Sequence, residues 1–68
     1  MKTSVRELRE LAGLTQKQLG ETVGVSRQAI NAIETGKFDP SIWLAYDIAQ
    51  FFSSTIEEVF NFKESGRK

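Results

Sequence analysis

Apolar residues recur at helical spacing in five short stretches of this chain. Val5, Leu8, Leu11 and Ala12 step by three or four, which predicts a first helix with these four facing inward. Ser4 followed by Glu7 fits a capping box and places the start of that helix, and Gly13 ends it. Thr15 caps the next segment with Gln18 as its box partner, so a second helix opens at Gln16, with Leu19 and Val23 on one face. Gly24 takes a left-handed conformation at no steric cost and stops this helix. Val25 is apolar and suits the angle between helices, and Ser26 caps a third helix carrying Ile30 and Ile33. Thr35-Gly36-Lys37 closes the third helix, and Asp39-Pro40 blocks its extension. A fourth helix is expected from about Ser41 to Phe52, with Leu44, Ile48 and Phe52 as its core stripe and Ala45 and Phe51 beside it. Ser53-Ser54 breaks the pattern; Thr55 and Glu58 then form a third capping box, opening a short helix with Ile56, Val59 and Phe60. Phe60-Asn61-Phe62 alternates like a strand and can pair with residues 1–3 in a small β-ribbon. Residues 63–68 are polar and expected to be a flexible tail.

The centre of this plan is residues 16–35. Two short helices joined at Gly24 fit a helix-turn-helix, whose second helix can enter a DNA major groove. Gly20 supports a close approach, because glycine inside a helix costs roughly 1 kcal/mol against alanine and is tolerated where another backbone must come near. The outward face of the third helix offers Ser26, Arg27, Gln28, Asn31 and Ala32. Arg pairs with guanine, Gln or Asn with adenine, and Ala touches a thymine methyl. The two helices alone fit an ordinary αα-hairpin with a solvated polar face equally well. Gln16 falls in the first turn of the second helix, where the amides and the dipole favour an anion such as a phosphate. Arg9 lies near the inner face of the first helix and Glu34 beside Ile33, so the two are paired here; two separate surface charges are the alternative. Ile42, Trp43 and Tyr46 fall off the core stripe of the fourth helix. With Phe62 they are assigned to a homodimer interface, against the alternative that they cover the edge of a small core.

Composition narrows the classes. Sixty-eight residues make one domain, expected to span 1–68, and a chain this short buries only about 60% of its unfolded surface, so dimerisation is a common remedy. No apolar run approaches membrane length and no signal-peptide pattern opens the chain, which favours a cytoplasmic protein; nucleoid association through operator DNA is expected only if the third helix reads DNA. Histidine and cysteine are absent, no nucleophile–base constellation or metal-ligand cluster appears, and an enzyme is not expected; neither is a metal, a cofactor or a small-molecule effector. Net charge is zero, with nine basic and nine acidic residues, so the total lends nucleic-acid binding no support. Its distribution does more: the middle segment sets Lys17, Arg27 and Lys37 against Glu21 and Glu34, and presents a positive edge if Glu34 is paired internally, while Asp39, Asp47, Glu57 and Glu58 make the C-terminal half negative.

Many spaced positions together resemble the Cro/C1-type (XRE) helix-turn-helix family. They are Leu8-Arg9, Leu14-Thr15-Gln16, Val25-Ser26-Arg27-Gln28, Ile33-Glu34, Gly36-Lys37, Pro40-Ser41, Ile48-Ala49 and Glu57-Glu58-Val59-Phe60. The resemblance implies an all-α, five-helix, lambda-repressor-like fold. The short length and aromatic tail are similar to compact repressors of the cytolysin-repressor type, homodimers with a small β-ribbon. By this resemblance Arg9 and Glu34 match an internal ion pair, and Gln16 a phosphate-contacting glutamine. Arg27, Gln28, Asn31 and Ala32 match base-facing positions; Ser26, Gly36 and Lys37 match backbone contacts, with Lys17 added from the positive edge. Gly20 stands where the family usually has alanine, and Ser53 where glycine is common. The function implied is a sequence-specific DNA-binding regulator, a repressor that binds a palindromic operator as a homodimer. The alternative is a small helical protein-interaction module without DNA binding.

Overall fold

A computed structural model describes residues 1–62. Five helices and one two-stranded antiparallel ribbon make up these residues: β1 (Lys2–Thr3), α1 (Val5–Leu11), α2 (Gln16–Val23), α3 (Arg27–Glu34), α4 (Ile42–Phe51), α5 (Ile56–Val59) and β2 (Phe60–Asn61). The expected tail at 63–68 lies outside the described residues.

Side-chain caps fix most helix starts. Thr15–Gln18 and Thr55–Glu58 form reciprocal capping boxes, and Ser26 and Ser41 each accept from the backbone N–H three residues on. The box expected at Ser4 and Glu7 is absent. The Ser4 N–H instead donates to the Val59 carbonyl at 2.7 Å, and Thr3 Oγ1 accepts from Val5 N. Entry into α1 is thus set by the ribbon rather than by a local cap.

The ribbon pairs Lys2 with Asn61 and Thr3 with Phe60. Phe60 therefore leaves the fifth helix, where it was also placed by its spacing, and enters a strand with its ring in the core. That core comprises Val5, Leu19, Ile30, Ile33, Ala45, Ile48, Ala49, Val59 and Phe60, with Leu8, Val23, Val25, Leu44, Phe52 and Ile56 packed around it. Each fully buried large side chain contributes about 1.5–3 kcal/mol.

Three inward expectations fail. Leu11 is 86% exposed and Ala12 is also exposed. α1 is only seven residues long; Leu11 is rotated off the stripe led by Val5, and Ala12 lies past its last core contact. On α4 it is Ala49, not Phe51, that is buried. Phe51 is 42% exposed, edge-on to Phe52 at 5.0 Å between ring centroids. No helix among the described residues is long and apolar enough to cross a membrane.

Candidate DNA interface

α2 and α3 are set by one glycine turn. Gly24 has φ +82°, and both its N–H and that of Val25 donate to the Gly20 carbonyl, at 2.8 and 2.9 Å. Val25 is partly buried between the helices. Gly20 is fully packed: a Cβ there would stand 2.5 Å from the Val25 carbonyl oxygen and 3.3 Å from Ser26. The close approach is therefore made by the turn backbone at the entrance to α3.

α3 is amphipathic in a useful direction. Ile30 and Ile33 are fully buried, and this pins the helix by one side. Gln28 and Asn31 are exposed on the other side, Arg27 is exposed at the first turn, and Ala32 is half-buried. An open groove of about 370 Å³ runs between the start of α2 and the start of α3, lined by Lys17, Glu21, Val25, Ser26, Arg27 and Gln28. The side chains of Lys17, Arg27 and Lys37 make no ion pair or hydrogen bond among the described residues, so their charges are available to a ligand.

The proposed backbone contacts divide. Ser26 Oγ accepts from Ala29 N at 3.1 Å, which leaves its hydroxyl proton free to donate. Gly36 N donates to the Ile33 carbonyl, and Lys37 N to that of Ala32, at 3.1 and 2.9 Å. These two amides are engaged inside the loop, so its outward donor is the Lys37 ammonium.

Beneath this surface lies an ion pair. Arg9 Nε donates to Glu34 Oε2 at 2.7 Å, and Nη2 to Oε1 at 3.3 Å; their side chains are 12% and 2% exposed. Arg9 Nη1 donates to the Leu14 carbonyl at 2.8 Å. Hydrogen bonding to Glu34 raises the Arg9 pKa, against the opposing effect of burial. Gln16 joins the group, its Nε2 donating to Glu34 Oε1 at 3.0 Å. Sequence reasoning missed that bond. The available signal was that one arginine does not exhaust the acceptor sites of a carboxylate.

On the far side, Ile42, Trp43, Tyr46 and Phe62 are 65%, 75%, 47% and 37% exposed. Ile42 and Phe62 border an apolar cavity of about 250 Å³, whose other walls include Pro40, Ala45, Ile56 and Phe60. Among the described residues no cluster of acidic residues is arranged to hold a metal.

Two helices locked by a left-handed glycine, the second buried by its isoleucines and presenting Arg, Gln and Asn outward, define the helix-turn-helix class. The chain belongs to the Cro/C1-type helix-turn-helix family, whose helix-turn-helix model matches residues 5–59. It is 48% identical, over 94% of this chain and 97% of the relative, to an uncharacterised HTH-type transcriptional regulator of Methanocaldococcus jannaschii. It is 50% identical, over the same shares, to the HTH-type regulator YgzD of Bacillus subtilis. A third relative, 42% identical over 88% of this chain, is the HTH-type transcriptional activator BcrR of Enterococcus faecalis, of which the match covers 29%. The family is one of transcriptional regulators rather than a class of enzymes.

Proposed function

We propose that this protein is a sequence-specific DNA-binding repressor that acts as a homodimer on a palindromic operator. One observation carries the reading: Gln28 and Asn31 stand exposed on the side of α3 away from its buried isoleucines, with Arg27 exposed at the start of the helix. Arg27 would pair with a guanine, Gln28 and Asn31 with adenines, and Ala32 would meet a thymine methyl. Lys17, Ser26, Lys37 and the start of α2 at Gln16 would hold phosphates on either side. Ile42, Trp43, Tyr46 and Phe62 would form the dimer contact, setting two α3 helices about 34 Å apart in successive major grooves. Operator occupancy is by itself the output of such a repressor; the activator relative shows that family membership does not fix the sign. Binding to operator DNA would place the protein in the cytoplasm.

Selection of bound duplexes from random DNA tests this. The expected product is an inverted repeat with half-site centres about one helical turn apart. Recovery of no enriched sequence refutes DNA reading, and an enriched single half-site refutes the dimer. The exposed aromatics of α4 favour a second reading, a protein-interaction module. Salt separates the two, because counterion release makes DNA affinity fall steeply with ionic strength and an aromatic contact changes far less.

A further inference from the structure

Glu34 takes three donors on two oxygens: Arg9 Nε on Oε2, and Arg9 Nη2 and Gln16 Nε2 on Oε1. An ionised carboxylate only accepts hydrogen bonds. The nitrogen end of the Gln16 amide must therefore face it, since the reversed amide would set oxygen against oxygen. A glutamine in solvent presents either end; this one has a single way to lie. Gln16 is also the first residue of α2, where the N–H groups of Gln16 and Lys17 have no partner within the helix. The N–H of Gln18 is taken by Thr15. Among the described residues, the second proton on Gln16 Nε2 and those two backbone protons are thus a set of unengaged donors at the start of α2.

Building on the DNA-binding reading above, we propose that Glu34, held by Arg9, is the positioning residue that orients Gln16 as a donor to a DNA phosphate. The ion pair joining α1 to α3 and the phosphate contact at α2 then form one unit. The geometry accounts for a carboxylate so close to a polyanion: Glu34 is 2% exposed and its charge is neutralised by Arg9. The donors themselves are neutral, so this contact fixes register on the duplex and adds little to the salt dependence.

Two measurements test the assignment. In the free, nitrogen-15-labelled protein, one Gln16 Nε2 proton should exchange with water more slowly than either on Gln28, whose amide is unbonded among the described residues. Equal exchange on the two residues overturns the proposal without any variant having to fold. Dissociation constants for the selected duplex are then compared for wild type, Glu34→Gln, Gln16→Ala and the double variant, at a temperature where circular dichroism shows each folded. Each single change should weaken binding roughly fivefold, the worth of one net hydrogen bond. The double variant should be no weaker than Gln16→Ala alone, and multiplying losses overturn the coupling. Failure of the wild type to bind any duplex sinks the DNA reading itself; binding with multiplying losses sinks only this inference.

Discussion

Replacing Arg9 with Ala removes a guanidinium whose three donating nitrogens reach Glu34 and the Leu14 carbonyl. Glu34, 2% exposed, keeps only the Gln16 amide, and the Leu14 carbonyl loses its side-chain donor. Both partners are shielded from water, so the figure for a buried pair applies with little discount for screening: about 3–5 kcal/mol. A domain of this size has roughly 3–10 kcal/mol in total. At about 4–8 °C per kcal/mol, the melting temperature should fall by roughly 12–40 °C. Thermal unfolding followed by circular dichroism measures this. A double-mutant cycle with Glu34→Leu and Arg9→Met then isolates the pair, because replacing both charges with apolar groups removes the stranded carboxylate. The double variant should recover at least half of the loss. A drop below about 5 °C for Arg9→Ala, or additive losses in the cycle, would refute the argument. The sign with pH is fixed as well. A cation whose pKa is raised by folding contributes stability that is complete below its unfolded value and is lost only as pH climbs through the folded one. The Arg9 contribution is therefore flat across the neutral range and fails only in strong alkali.

Three further outcomes are expected. Arg27→Ala should relax preference at one base position by about 1–3 kcal/mol of discrimination; equal weakening on every sequence would reduce Arg27 to a phosphate contact. Trp43→Glu should give monomers by light scattering, and an unchanged dimer would exclude that surface. Gly20→Val should cost on the order of 2 kcal/mol or more in denaturant unfolding, because its Cβ meets the Val25 carbonyl at 2.5 Å; a neutral result would show that the turn yields freely.

What sequence conveys here depends on how local the cause is. Thr15, Ser26 and Thr55 act within three residues of themselves, so their caps are legible without a fold. The ribbon was legible in the alternation of residues 60–62, which marks a strand able to pair with residues 1–3. Ser4 misled because its N–H is taken by Val59, a partner remote in sequence. Leu11 misled because an i, i+3 step from Leu8 looks inward until the shortness of α1 is known. Phe51 misled because a large apolar side chain beside the core stripe looks inward, whereas the side α4 buries there carries Ala49, 2% exposed against 42% for Phe51. At the candidate site, residue types and spacing marked out α3. Which loop amides were already engaged by Ile33 and Ala32 depended on a backbone path that no spacing encodes.

Two residues per strand cannot hold a ribbon in water; β1 and β2 persist because five helices deliver them to each other. The dependence runs both ways. Some sixty residues are thereby clasped into a ring, and peeling one end robs the other of its partner. Such a molecule has little room to unravel piecemeal. Amide exchange at Ser4, whose bond to Val59 is the clasp, should therefore report the survival of the whole fold rather than the fraying of an end.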